Sequence, residues 1–344
     1  MKFLAALLLL GFISVSARAE PDYAAAADRV LSEVIQPGTT AFEEATATLR
    51  QAAALGCSDI DPAALQDAFH GAWDAWMAIQ HLRFGPLEDE SRSLQIAFWP
   101  DSRGTVSRTV SRLLATESAP VEDKDAFSKL SVGARGFPAL ERLLYDESGP
   151  VPFDDAFRCA YTAAVAADLE RVANEINGAW SGAFSTIWTT AGEEGNTVFL
   201  APKETSQRIF VVTLGALEET VRHRLGTPLG TITAVRPKLA EARRSGRSLR
   251  QIGLVLDATE RTLMTTFGPA LEVGERTALT DAYTSARRDL DGVAELGDLP
   301  AALSVSRIRV EVLQQSIERI ATVMRAEIGP SLGISKGFNA ADGD

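Results

Sequence analysis

The sequence predicts an all-α protein made of two tandem helical-bundle domains that are related by an approximate internal repeat. Apolar residues recur three and four positions apart, the spacing that places them on one face of an α-helix. The clearest such seam lies near the C-terminus and consists of Leu303, Val310, Leu313, Ile317, Ile320 and Met324. No run of alternating β-branched residues predicts a strand.

The repeat is indicated by two similar segments that each follow a long predicted helix. Residues 83–87 read Arg-Phe-Gly-Pro-Leu, and residues 224–229 read Arg-Leu-Gly-Thr-Pro-Leu. Duplicated helical domains produce such internal sequence similarity.

Residues 1–19 have the pattern of a secretory signal peptide. Lys2 precedes an apolar run that is too short to span a bilayer, and Ala17-Arg18-Ala19 provides a small-x-small cleavage site. The mature chain is therefore expected in the periplasm of a Gram-negative cell, with an uncleaved membrane tether as the alternative. No other apolar stretch is long enough to predict a membrane span.

The mature chain divides into three segments. An N-terminal bundle is expected over 20–182 and a C-terminal bundle with an ordered tail over 204–344. The stretch 183–203 contains Gly192, Gly195 and Pro202 and interrupts the helical pattern, which predicts a linker.

Helices are predicted in order along both bundles. In the first bundle, Pro37-Gly38 predicts a break or kink in the opening helix, and Asp61-Pro62 starts the second helix as N-cap and first residue. Residues 84–101 show no helical period and form either an ordinary connection between helices or a wall of a site. The predicted helices cover 24–55, 61–81, 102–116, 123–133, 136–145, 154–180, 204–224, 247–267, 274–293 and 301–327.

The charge balance restricts the partners. The formal net charge is −12, and loss of Lys2 and Arg18 with the signal peptide makes it more negative. Nucleic acids and anionic lipids require basic patches, so both are disfavoured as ligands.

Cys57 and Cys159 are the only cysteines. An exported compartment permits a disulfide between them, which would close a loop of about a hundred residues and contribute roughly 4 to 5 kcal/mol in the chain-entropy model. Two separate buried thiols are the alternative.

Glu141 is the central candidate for a binding residue. It lies in an otherwise apolar helical run, next to a stripe formed by Phe137, Leu140 and Leu144. A carboxylate in that position is costly unless it is paired or reaches solvent. Glu141 could therefore pair with Arg135 or Arg142, or it could face a ligand.

Four segments carry a resemblance to a known family. Gly136 followed five residues later by Glu141 is similar to the Gly-x-His-x-x-Glu signature of the imelysin family, a group of bacterial envelope proteins. Residues 83–86 and the Trp99-Pro100-Asp101 segment resemble segments upstream of that signature. Residues 225–230 and the closing residues 337–344 resemble parts of the family's second half and C-terminus.

The resemblance implies a periplasmic protein linked to iron or other metal uptake, with metallopeptidase activity and an adaptor for a membrane partner as alternatives. It also implies a site in a cleft between the halves. The expected ligand-binding residues are Glu141, Gly136, Arg83, Trp99 and Asp101. Pro138 stands where the signature has histidine, so a family-type metal site is altered or lost.

The residues themselves give little support for a catalytic metal. The three histidines are His70, His81 and His223, and neither their spacing nor a His-Glu-x-x-His motif provides the three ligands that a catalytic zinc needs. Iron or calcium held by Glu141 and further carboxylates is the remaining metal hypothesis. The further carboxylates are Glu88, Asp101, Asp342 and Asp344. No catalytic residue is predicted.

Overall fold

A computed structural model describes residues 20–55, 59, 61–152 and 154–334. Within these residues the secondary structure is helical, with two isolated β-bridges and no strand, which confirms the all-α prediction. No helix in the described part of the chain is long and apolar enough to cross a membrane. The predicted signal peptide, the tail 337–344 and Cys57 lie outside the described residues.

The first half contains nine α-helices in its described part. They are α1 (Tyr23–Val30), α2 (Gln36–Ala53), α3 (Pro62–Ile79), α4 (Arg92–Ile96), α5 (Thr105–Thr116), α6 (Lys124–Ser128), α7 (Gly136–Leu144), α8 (Ala156–Ser181) and α9 (Ala183–Thr189). Helix α2 packs between α3 and α8, and the short helix α7 lies against α8 and α5. Helix α7 is short because the backbone departs from helical geometry at both ends. Its first residue, Gly136, has φ of +71°, and the residue after its last, Tyr145, is extended.

The second half follows the same all-helical pattern. Its helices are α10 (Pro202–Glu219), α11 (Gly226–Leu229), α12 (Ser248–Phe267), α13 (Val273–Ala294), α14 (Leu299–Val305), α15 (Arg307–Val323) and α16 (Gly329–Ser331). Helices α13 and α15 pack against each other, and α12 packs on both α10 and α13. The helix expected over 301–327 is divided at Ser306, whose backbone is extended with φ −151° and ψ 92°.

Three π-helical turns interrupt long helices just before a proline. They cover Leu31–Ile35, Thr220–Leu225 and Met324–Ile328, and the prolines that follow are Pro37, Pro228 and Pro330. Proline has no N–H and its ring collides with the carbonyl one turn earlier, so a locally wider turn lets the helix continue. The predicted kink at Pro37 is therefore a π-turn within a continuous helical segment.

The two halves share one continuous hydrophobic core. Helix α1 packs on α10 and α12, and α3 packs on α12. Part of the segment predicted as a linker is also packed, because Trp188 of α9 is fully buried and its Nε1 donates to the carbonyl of Ala27 at 3.0 Å. The division into two domains and their internal repeat stay predictions.

Candidate functional site

A cleft of about 160 Å³ lies between the two halves. One wall comes from α3, the irregular segment before α5, and α7, which contribute Trp73, Phe98, Trp99, Pro100, Asp101, Pro138 and Glu141. The opposite wall comes from the connection between α11 and α12, which contributes residues 238–244.

Glu141 is the most buried carboxyl group of this cleft, with 5 % of its surface exposed. Its Oε1 accepts hydrogen bonds from the backbone N–H of Ser245 at 2.9 Å and from the Ser245 hydroxyl at 2.7 Å. Arg135, a partner considered from the sequence, instead donates to Asp168 at 2.8 Å. Glu141 thus connects α7 with a loop of the second half.

Burial raises the pKa of Glu141 above the ordinary carboxyl value of 4.5. The two hydrogen bonds from Ser245 and the charges of Arg244 and Arg243 act in the opposite direction and offset only part of this effect. The cleft therefore contains a carboxyl group that accepts a proton more readily than an exposed one.

The raised pKa predicts that Glu141→Gln becomes stabilising relative to the wild type as pH rises. A carboxyl with a higher pKa in the folded chain binds more protons when folded, so its contribution to stability falls as pH rises from 4.5 through the raised value. Glutamine keeps an oxygen for Ser245 but does not ionise. Urea unfolding of both proteins across this range measures the difference in free energy of unfolding, which should shrink below pH 4.5.

Glu147→Gln is a control that should change the free energy of unfolding in the opposite direction. A hydrogen bond from Arg243 lowers the pKa of Glu147 to about 2. Its contribution is present above the ordinary carboxyl value and is lost as pH falls towards about 2, so this variant should be less stable than the wild type at neutral pH. The same sign of change in both variants at neutral pH would contradict the assignment of Glu141.

A chain of charged side chains continues from the floor of the cleft. Arg224 lies 5.3 Å from the ring centre of Trp99, and its Nε donates to Glu241 at 2.7 Å. On its other side, Arg224 Nη1 lies 3.9 Å from Glu219, which also faces Arg83 at 3.4 Å. Arg83 and Arg224, the arginines of the two similar segments, therefore both face the carboxylate of Glu219.

The connection between α11 and α12 reaches across to acids of the first half. Arg243 donates to both oxygens of Glu147 at 2.9 and 2.6 Å, and Arg247 donates to Asp74. Ala242 has φ of +50°, a left-handed conformation that costs about 1–2 kcal/mol for a residue with a Cβ. Such strain persists only where surrounding contacts impose it.

The sequence patterns did not predict that the connection between α11 and α12 is part of the site. The site residues that were not predicted are Trp73 of α3, Arg224 before α11, and Glu241, Arg243, Arg244 and Ser245 of the connection. One usable signal is present, since residues 241–247 read Glu-Ala-Arg-Arg-Ser-Gly-Arg between two helices. Irregular charged segments of this kind often carry function.

Of the residues predicted to bind a ligand, Glu141, Trp99 and Asp101 line the cleft. Both oxygens of the Asp101 carboxylate already have hydrogen-bond partners, because they accept from the backbone N–H groups of Thr105 at 2.7 Å and Val106 at 2.8 Å. It thereby caps the start of α5.

Gly136 and Arg83 lie outside the cleft lining. Gly136 allows a close approach of backbones, because a Cβ at this position would lie 2.3 Å from the carbonyl oxygen of Ile96. Arg83 lines a second cavity between α3 and α10.

The described part of the chain does not group its candidate ligands around a metal ion. In the described ranges, no group of three His, Cys, Asp or Glu side chains is placed to hold one. Glu88 accepts from Ser93 at 2.8 Å, and Asp101 caps a helix. Asp342 and Asp344 lie outside the described residues.

Cys159 takes part in a disulfide bond. The other cysteine of the sequence, Cys57, lies outside the described residues, so its pairing with Cys159 stays a prediction.

Comparison with known proteins places this architecture in a family. The family model described as Imelysin matches residues 35–322, more than half of the chain. No curated protein is similar enough in sequence to match.

Two solved structures share the fold. An imelysin-like protein from Psychrobacter arcticum 273-4 superposes with a TM-score of 0.78 at 20 % identity, covering 94 % of this chain and 100 % of that one. A putative iron-regulated protein A precursor from Parabacteroides distasonis ATCC 8503 gives a TM-score of 0.75 at 12 % identity, covering 90 % and 95 %. Given the family match and the shared all-α architecture, the chain belongs to the imelysin family.

Proposed function

We propose that this imelysin-family protein binds a small organic anion in the cleft around Glu141 and acts in iron or other metal uptake by binding metal as an anionic chelate. The proposed location is the periplasm, on the basis of the signal-like residues 1–19. The link to iron comes from the name of the Parabacteroides neighbour.

Unpaired hydrogen-bond donors in the cleft carry this proposal. Trp73 Nε1 and Arg244 Nε are buried, and neither has a hydrogen-bond partner among the described residues. Both side chains line the cleft. A buried donor without a partner is costly, so a ligand that supplies acceptor oxygens at this position is favoured.

The charges of the cleft support an anion rather than a bare cation. Arg243, Arg244 and Lys238 line it, and the exposed carboxylate of Glu147, which pairs with both arginines, offsets only part of their charge. The carboxylates that could attract a cation already have partners, because Glu141 accepts from Ser245 and Glu241 accepts from Arg224. A carboxylate ligand would bond to guanidinium donors with the charge-assisted geometry typical of arginine sites.

Metallopeptidase activity is less well supported. A catalytic metal needs three protein ligands with an open position, and the described part of the chain brings no such group together.

Calorimetric titration of the metal-stripped mature protein tests the proposal. We expect saturable binding of citrate and of Fe³⁺-citrate, and no tight binding of Fe²⁺, Zn²⁺, Cu²⁺ or Ca²⁺ alone. Arg244→Gln should weaken citrate binding about tenfold or more, since one charge-assisted bond is lost. Trp73→Phe should also weaken it, while keeping an aromatic ring against Phe137.

Arg250→Gln is the matched control, because it removes the same charge from the same part of the chain. Arg250 is 57 % exposed in its side chain, pairs with Asp74 at 2.7 Å and does not line the cleft. Its citrate affinity should equal that of the wild type. Saturable binding of a bare metal ion that citrate does not displace would contradict the anion site. Absence of binding by every probe would contradict ligand binding and favour an envelope adaptor.

A further inference from the structure

A second cavity of about 210 Å³ lies between the C-terminal end of α3 and the C-terminal half of α10. Its lining consists of Gln80, His81, Arg83, Val212, Gly215, Ala216 and Glu219. We propose that this cavity is a binding site for an uncharged small molecule that carries a carboxamide group.

All four polar side chains of the lining have an unsatisfied atom. Gln80 Nε2, His81 Nδ1, Arg83 Nε and Glu219 Oε1 are buried, and none has a hydrogen-bond partner within the described ranges. Gln80 and His81 are each only 2 % exposed. Native proteins rarely leave buried polar atoms unpaired, and four around one cavity indicate an occupant that satisfies them.

The tautomer of His81 is assigned from its neighbour. The Thr262 hydroxyl lies 2.9 Å from the carbonyl of Ala258 and 2.8 Å from His81 Nε2. We assign the hydroxyl proton to the carbonyl, so that the hydroxyl accepts from Nε2. Nδ1 is then the nitrogen with a free lone pair. Burial lowers the pKa of His81 to about 3, so the ring is neutral at physiological pH.

The hydrogen-bonding pattern matches one functional group. The cavity offers two donors, from Gln80 and Arg83, and two acceptors, from His81 and Glu219. A primary carboxamide complements both pairs, because its oxygen accepts two hydrogen bonds and its NH₂ group donates two.

The charge balance selects against ions. Glu219 faces Arg83 at 3.4 Å and Arg224 at 3.9 Å, Arg224 also pairs with Glu241 at 2.7 Å, and His81 is neutral. An added anion or cation would face two arginines and two glutamates whose charges balance, without a free counter-charge. The Arg83 side chain is 39 % exposed, which leaves an entry from solvent.

Gly215 lies at the exposed edge of the cavity. It is in the interior of α10, where glycine is less favourable than alanine, and a Cβ built on it meets no atom within 4 Å. A larger side chain at this position would extend over the cavity that Gly215 lines.

The test uses isosteric probes and a direct readout at His81. In the ¹⁵N-histidine-labelled mature protein, the Nδ1 resonance of His81 is followed during titration with acetamide, acetate or acetamidinium. The chain has three histidines, so substitution of the other two assigns the signal. Acetamide should give a saturable shift at a concentration about tenfold or more below that of either ion, since each ion leaves buried groups unpaired.

Two variants and one control locate the binding. Gly215→Leu should abolish the acetamide response, and Gln80→Leu should weaken it about tenfold by removing one donor. Gly71→Leu, at an exposed helical glycine of α3 whose Cβ also meets no atom, should leave it unchanged. Circular dichroism establishes that each variant is folded, and Gln80→Leu carries the test if Gly215→Leu is not.

Three results would overturn the proposal. Equal responses to acetate or acetamidinium would contradict an uncharged ligand, and tighter binding of glycerol than of acetamide would contradict the carboxamide. No saturable shift with any probe would mean that water alone satisfies the cavity. None of these results depends on citrate binding at Glu141, which is measured at a different cleft.

Discussion

Gly136→Ala is expected to destabilise the mature protein by about 2–5 kcal/mol. Gly136 has φ of +71°, and a left-handed conformation costs an alanine about 1–2 kcal/mol. The added Cβ would also lie 2.3 Å from the carbonyl oxygen of Ile96 and 2.5 Å from that of Gln95. These are backbone atoms, and forced overpacking of this kind adds about 1–3 kcal/mol.

Gly104→Ala separates the two causes. Gly104 has φ of +64°, but a Cβ there meets no atom within 4 Å, so only the conformational cost of about 1–2 kcal/mol remains. Urea denaturation of both variants measures the difference. Equal losses would mean that the backbone around Ile96 can move aside and that Gly136 is not required for the close approach of α7.

Asp168→Asn should destabilise the protein by about 3–5 kcal/mol, because it leaves the buried charge of Arg135 uncompensated. The side chains of Arg135 and Asp168 are 4 % and 5 % exposed and meet at 2.8 Å. Arg135 also donates to Gln95 at 2.7 Å and to the carbonyl of Ser128, so it joins the segments on both sides of α5 to α8. Its displacement would disturb the start of α7, which carries Glu141.

Asp257→Asn is the control for this prediction. Asp257 pairs with Arg287 at 3.0 Å, but its side chain is 60 % exposed, and exposed ion pairs contribute at most about 1 kcal/mol. Chemical denaturation at neutral pH compares the two substitutions. A loss below about 1 kcal/mol in both would show that solvent reaches Arg135 and replaces the lost carboxylate.

Much of the fold could be predicted because the residues that determine each helix are close together in the sequence. The helix predicted over 247–267 is observed as Ser248–Phe267, and the one over 274–293 as Val273–Ala294. Periodicity and capping residues act within a few positions of the chain. Predictions were less accurate where tertiary contacts compete, as for the segment 123–133, which contains only the short helix α6 and a 3₁₀ turn.

The candidate site was predicted in part. Glu141, Trp99 and Asp101 were expected together from family resemblance, and all three line one cleft. Arg83 and Gly136 carry the same resemblance but lie elsewhere. A motif shows that residue types occur together, whereas the cavity that each side chain enters depends on how the helices cross.

The sequence by itself determined the helices, the glycine at the start of α7 and the carboxyl group within its apolar run. These features depend on residues close together in the chain. Only the tertiary structure decided that Glu141 bonds to Ser245, which is 104 residues away, and that Arg83 and Arg224 meet at Glu219. Hydrogen bonds and ion pairs act over a few ångströms in space, so the packing of α3, α7 and α10 against the second half determines which partners come within reach.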